Sequence, residues 1–221
     1  MFLARVCAGC GGVGPSPCDK CIAALRRVGE MPAPEPLAAL FSAFVYVGPG
    51  REMLARLKYR NQRCSVRWLA AAMAVCVEQN CLFDMVTWAP TSARRRRQRG
   101  FDQAELLARA VGGLLGLPTA SLLKRIDGAG QTGLSRQERF GAIEFKVRRQ
   151  PQGRILLVDD VVTTGATLQA ASRALLQAGA ESVEGLVAAA TPLPYTHPAT
   201  SRPVSSVLTK KAKYGGRVSA A

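Results

Sequence analysis

The chain has 221 residues, which suits one ordinary domain plus a small appendage. A hydrophobic fraction of 48% is ample for a packed core and excludes global disorder; the longest apolar-rich stretch, residues 37–47, is far short of the roughly 20 residues a membrane-spanning helix needs. The formal net charge of +15 favours anionic partners such as nucleic acid, nucleotides or sugar phosphates.

In chain order, Met1–Ala8 is too short for a signal core and cysteines follow at once, so the cytoplasm is the expected compartment. Cys7, Cys10, Cys18 and Cys21 then form C-x2-C-x7-C-x2-C. Cytosolic chains rarely keep disulfides, and two C-x2-C knuckles suit four thiolates around a tetrahedral, structural zinc ion. An iron–sulfur cluster or a redox dithiol is the alternative. Residues 1–35 hold few apolar residues, so this stretch is expected to need a metal to fold. A proline-rich hinge, Met31–Pro36, closes it. Cys64, Cys76 and Cys81 fit no pairing pattern and are expected to be ordinary buried thiols.

Residues 36–190 alternate between strand and helix patterns. Phe41–Val47 is an expected strand and Arg51–Arg60 a short helix. Val66, Leu69, Ala70, Met73 and Val77 recur at helical spacing, which predicts a helix over Val66–Gln79. Met85–Trp88 suits a buried strand, Pro90 and Ser92 mark a loop, and Phe101–Leu115 carries an apolar helical face. Ile155–Val158 reads as a buried parallel strand. A helix buried through Leu168, Ala171 and Leu175 and ended by Gly179 follows, then a strand over Val183–Ala189. Strand–helix–strand order predicts an α/β fold with a mainly parallel sheet and helices on both faces. Residues 191–221 turn to Pro, Ser, Thr and basic residues and are expected to be a disordered basic tail.

The informative stretch is Arg154–Leu168, in which the apolar strand runs into Asp159 and Asp160 and then into Val161, Val162, Thr163, Thr164, Gly165, Ala166 and Thr167. A helix start offers unpaired N–H groups and a positive dipole end to a phosphate. Gly165 lets the backbone come close, and the threonines add hydroxyl donors. The two acids would repel a phosphate but accept hydrogen bonds from sugar hydroxyls, directly or through a hydrated divalent cation. Acids and phosphate donors a few residues apart match the two ends of a ribose phosphate, at the carboxyl end of a parallel strand. The segment lacks the pattern of a Walker loop or a dinucleotide-binding turn.

This segment closely resembles the motif by which type I phosphoribosyltransferases bind 5-phosphoribosyl 1-pyrophosphate (PRPP). The resemblance implies that Asp159 and Asp160 hold the ribose 2′ and 3′ hydroxyls, that residues 161–167 cradle the 5′-phosphate, and that Mg2+ accompanies PRPP while pyrophosphate is displaced. Further stretches are similar to the ComF/GntX family: Val86–Ala108 with its R-G-F-D-Q-A core, Gln131–Arg139, Leu57-Lys58-Tyr59 and the cysteine module, so that the likeness covers about residues 5–190. Asp102 stands where that family more usually has Asn, and the loop after Trp88 is unusually rich in arginine.

By that resemblance the loop after Trp88, with Thr91, Ser92, Arg99 and Gly100, is the pyrophosphate loop, Arg99 and Gly100 lying at a helix start. Arg94–Arg97 either bind an anion such as a nucleic-acid backbone or lie in solvent. Gln131–Arg139 is the mobile hood, with Arg136 and Arg139 as contacts or as ordinary surface arginines. Members of the family are linked to uptake of single-stranded DNA in competence and to gluconate utilisation. Two functions follow: a Mg2+-dependent phosphoribosyltransferase of unknown acceptor, or an accessory protein on the same fold that senses a nucleoside 5′-phosphate and contacts single-stranded DNA or a helicase-like protein. The single histidine, His197, has no role in either.

Overall fold

The computed structural model describes residues 6–60, 62–77, 82–126 and 143–192. Its centre is a five-stranded sheet built from β1 (Arg27–Met31), β2 (Ala39–Val45), β3 (Met85–Trp88), β6 (Arg154–Val162) and β7 (Ser182–Ala190), in the order β1-β2-β7-β6-β3. The β2–β7, β7–β6 and β6–β3 pairs are parallel, and β1 adds an antiparallel edge. A separate hairpin pairs β4 (Leu123–Ile126) with β5 (Glu144–Val147).

Both faces of the sheet are covered. On one face Phe44, Leu156, Val158 and Leu186 pack against α2 (Gly48–Arg60), α3 (Val66–Val77) and α5 (Gln103–Leu115), through Met53, Leu54 and Leu57, Leu69 and Met73, and Leu107 and Val111. On the other, Ile155, Leu157, Val183 and Val187 pack against Leu168, Ala171 and Leu175 of α6 (Ala166–Gln177) and against Leu122, Leu123 and Phe145 of the hairpin. Strand β6 is buried from both sides, which is why Ile155–Val158 reads as an unbroken apolar run instead of alternating. The expected α/β architecture with a mainly parallel sheet is what forms.

Two elements depart from the expectations. No strand was read within residues 1–35, yet β1 lies there and pairs with β2, so the sheet crosses residue 36. An edge strand with one face open needs few apolar residues, and Arg27-Val-Gly-Glu-Met31 has few. The stretch after Trp88 is not loop throughout: α4 (Ala93–Arg99) occupies the arginine run. Ser92 caps it by accepting the Arg95 N–H at 3.3 Å, and Gly100 ends it in the left-handed conformation at φ 76°. The residues expected of the hood, Arg136 and Arg139 included, and the basic tail from residue 193 lie outside the described residues. Among the described residues no helix is long and apolar enough to cross a membrane.

Candidate functional site

Strand β3 stops at Trp88, paired with Val158, while β6 runs on to Val162, and a cavity of about 310 Å³ opens beyond the carboxyl end of β3. Asp159, Asp160, Val161, Thr163 and Thr167 come from β6 and the start of α6; Pro90, Thr91, Arg95, Arg99, Asp102 and Gln103 from the segment after β3; Lys58 and Tyr59 from the end of α2; Arg125 from the hairpin. The acidic pair and two threonines of the expected motif therefore share one cleft. Thr164 and Ala166 are exposed, whereas Val162 is a core residue beneath α6. Gly165 takes φ +81°, and a Cβ there would stand 2.8 Å from Cγ of Pro34. The proline-rich hinge thus backs this turn, and glycine is required for its backbone conformation and for Pro34 as much as for an approaching anion. The first N–H groups of α6 have no intrahelical partner; that of Ala166 reaches Thr164 Oγ1 at 3.4 Å.

Thr91 lines the cavity and gives its N–H to Asp102 Oδ2 at 2.8 Å. Ser92 is committed to capping α4. Arg99 and Gly100 stand at the carboxyl end of α4, not at a helix start, so the last-turn arginines Arg96, Arg97 and Arg99 are matched to that helix's negative end. Arg95 and Arg99, one turn apart, face the cavity; Arg94, Arg96 and Arg97 are exposed. Arg99 donates to Gln103 Oε1 at 2.9 Å and lies 5.1 Å over the ring of Tyr59.

Two residues carry roles that the sequence reading did not assign. Lys58 Nζ lies 2.9 Å from Asp160 Oδ2, with both side chains largely enclosed. Its signal was the Leu57-Lys58-Tyr59 triplet, which says nothing of its partner. Asp102 caps α5, accepting the N–H groups of Ala104 and Glu105 at 3.0 and 3.4 Å as well as that of Thr91. Burial raises its pKa against the pull of those three donors.

The four cysteines also converge. Their sulfurs all lie within 4.8 Å of one another, and the Cys7–Cys21 and Cys10–Cys18 pairs are both at 3.8 Å. A tetrahedral ion with metal–sulfur bonds of about 2.3 Å sets sulfurs about 3.8 Å apart, so the cluster has the dimensions of a candidate metal site. Burial works against ionising Cys7, but the amides of Cys10, Cys18 and Gly9 outweigh it and bring the thiol down to about 6. Burial and the neighbouring thiols push Cys21 up, a conflict that a bound cation would relieve. Helix α2 packs on this module: a Cβ on Gly11 would stand 3.0 Å from Arg56 Nη2, and one on Gly9 3.3 Å from Pro49 Cβ. Cys64 was expected to be buried; it is exposed instead, in a single 3-10 turn over Arg63–Ser65, 3.3 Å from Ser16 Oγ. Cys76 is partly buried, and Cys81 lies outside the described residues.

Asp159 is the strained member of the acidic pair. Burial first, then the Asp160 and Asp102 charges, raise its pKa well above the carboxylate range, while the Asp160 amide and Lys58 pull it down. An acid whose pKa is raised on folding holds its proton more tightly in the native state. Stability is therefore lost as pH rises from the unfolded value of about 3.9 toward the raised one. Asp159→Asn is expected to raise the melting temperature at neutral pH, with the gain fading below about pH 4. Thermal melts of both proteins across pH would check this; a gain that does not change with pH would contradict it.

Comparison with known proteins bears on the family. Residues 99–208 match the phosphoribosyl transferase domain family. Competence protein F of Haemophilus influenzae is 31% identical over 153 residues, covering 63% of this chain and 67% of that protein. DNA utilization protein YhgH of Salmonella typhi is 29% identical over 197 residues, covering 81% of each. The crystal structure of purine phosphoribosyltransferase from Pyrococcus horikoshii Ot3 aligns at 19% identity and a TM-score of 0.38, over 60% of this chain and 78% of that one; the assignment rests on the sequence matches, not on this superposition. The chain belongs to the ComF family of proteins with a phosphoribosyltransferase fold.

Proposed function

We propose that the cleft binds a 5-phosphoribosyl group, as PRPP or a nucleoside 5′-phosphate, together with Mg2+, and that the protein transfers this group to an acceptor. The observation that carries the reading is the meeting of Asp159 and Asp160 with Thr163 and Thr167 in one cavity at the end of β6. In this reading the carboxylates accept from ribose hydroxyls, and the turn before α6 donates to the 5′-phosphate. Arg95 and Arg99 face the same space and would hold a departing pyrophosphate. The oxygen donors of the acidic pair suit Mg2+, which when bound neutralises part of the pyrophosphate charge. Arg136 and Arg139, on the segment between β4 and β5, would close over the ligand. PRPP with Mg2+ is expected to raise the melting temperature, by an amount equivalent to about 2.7 kcal/mol at a hundredfold excess over Kd. The double variant Asp159→Asn, Asp160→Asn should abolish that shift; an unchanged shift rejects the site.

The cysteine module fits the reading of a structural zinc ion held by Cys7, Cys10, Cys18 and Cys21, since four thiolates close the coordination shell. Stripping the metal is expected to lower the melting temperature by roughly 5 °C or more, each kcal/mol being about 2–4 °C at this size. Metal analysis by mass spectrometry alongside the melts would decide; a purified protein free of zinc and equally stable would reject it.

A second reading, an accessory protein in competence that contacts single-stranded DNA and a helicase-like partner, draws on the names of its relatives and on one surface. Arg94, Arg96 and Arg97 are exposed on α4, and Tyr59, whose ring carries the guanidinium of Arg99 from the same helix at 5.1 Å, is 74% exposed. A cationic face near a partly covered aromatic ring suits a phosphate backbone and a stacked base. Binding to an unstructured oligonucleotide, measured by fluorescence anisotropy, is expected to weaken steeply with salt, with a log–log slope that falls by about 2 when Arg94, Arg96 and Arg97 are all changed to Ala. A slope that the triple variant leaves unchanged removes α4 from the interface.

A further inference from the structure

One cation of the cleft is held by a neutral group although three carboxylates share its cavity. Resting on the ribose-phosphate reading above, we propose that Gln103 is a positioning residue. Its side-chain oxygen holds Arg99 clear of those carboxylates, so that the guanidinium keeps its full charge for a second anionic group, such as a pyrophosphate, on the ligand.

The charges of the cleft set the problem. Four cations, Lys58, Arg95, Arg99 and Arg125, line the cavity together with Asp102, Asp159 and Asp160. In an enclosed site cations and acids attract strongly, and each pair that forms is lost to an incoming anion. Lys58 has paired, its Nζ 2.9 Å from Asp160 Oδ2. Arg125 lies over the ring of Phe145 at 5.9 Å. Asp102 commits both oxygens to the amides of Thr91, Ala104 and Glu105, and Asp159 Oδ1 accepts the amide of Asp160. The ion pairs found among the described residues are Lys58–Asp160 and Arg109–Glu105, and neither involves Arg95 or Arg99. Arg99 instead gives one N–H to Gln103 Oε1 at 2.9 Å and lies 5.1 Å over the ring of Tyr59.

The orientation of the Gln103 amide shows which partner decides it. The residue is 2% exposed, and its Nε2 is buried with no hydrogen-bond partner among the described residues. Turning the amide over would set its NH2 group against the guanidinium, donor to donor, so Arg99 fixes the oxygen where it is. A buried amide nitrogen without an acceptor costs stability. The empty protein therefore tolerates an unmet donor in order to keep a neutral oxygen on Arg99. A carboxylate there would grip the guanidinium more strongly and cancel its charge. Gln103 takes one N–H and Tyr59 one face, which leaves other in-plane N–H groups of Arg99 for phosphate oxygens. Arg95, one turn earlier on α4, faces the same cavity, so two guanidinium groups can meet one pyrophosphate.

Calorimetric titration of the purified protein in Mg2+, with PRPP and with ribose 5-phosphate, tests the assignment. Gln103→Glu should weaken PRPP binding by about tenfold or more, because the new carboxylate neutralises Arg99. Gln103→Met should weaken it by about threefold or more, and should add no further loss on an Arg99→Met background. Ribose 5-phosphate should change by less than about twofold in both single variants. A Gln103→Glu protein that binds PRPP as tightly as the wild type marks a merely structural tie, which a carboxylate would strengthen, and overturns the proposal. A Gln103→Met loss that persists in full on the Arg99→Met background, or an equal loss for ribose 5-phosphate, overturns it as well. Each of these results leaves the ribose-phosphate reading standing. A wild type that binds neither ligand rejects that reading, and the proposal with it.

Discussion

Three carboxylates and one ion-paired ammonium share the floor of the cleft, and how each is held there governs what the site can do. Asp102 is used up as an acceptor for three amides, so it fixes the start of α5 against the turn after β3. Asp160 is matched by Lys58. Among the described residues Asp159 has no cation of its own at bonding distance; its Oδ1 accepts the Asp160 amide at 2.7 Å, and burial keeps it reluctant to ionise. A group held against its preference costs stability in the empty protein and regains it when a ligand supplies hydroxyl donors or positive charge. Strain of that kind collects at binding sites because the surrounding fold over-determines it.

The over-determination comes from β6. It lies between β7 and β3, hydrogen-bonded on both sides, with its apolar run buried under helices on both faces. The two aspartates therefore follow directly on a strand held from both sides as far as Val158 and stay paired to β7, and the turn that follows is backed by Pro34 at Gly165. Strand β3 stops at Trp88 while β6 runs on to Val162, and the space gained by that difference is where the cavity opens.

What could be read from the sequence was what is contiguous in it. Strand β6, its acids, the turn and α6 form one unbroken stretch in which apolar run, carboxylates, glycine and helix follow in order, so the motif was visible before the fold. The spacing of Cys7, Cys10, Cys18 and Cys21 was legible for the same reason. Lys58 and Asp102 were not legible as cleft residues, because their roles depend on which helix end meets which strand end, and no periodicity encodes that. The arginine run misled in a more instructive way. Arg99-Gly100 ahead of an apolar helical pattern looked like a helix start, but the glycine belongs to the end of α4, and the cations suit that end's dipole. Strand β1 was invisible because an edge strand on a polar rim needs no apolar alternation.

Helix α2 ties these features to one another. Its Pro49 and Arg56 pack on the glycines of the cysteine module, its Leu54 and Leu57 sit in the core, and its Lys58 reaches the acidic pair. The proline-rich hinge that leaves the module touches the cleft a second time, through Pro34 behind Gly165. A metal held by the four cysteines would thus fix two supports of the cleft, Lys58 beside Asp160 and Pro34 behind Gly165. If metal binding steadies the site, linkage requires that a ligand in the site steady the metal by the same factor. On that argument the small module would support the cleft from outside the stretch that matches the phosphoribosyl transferase domain.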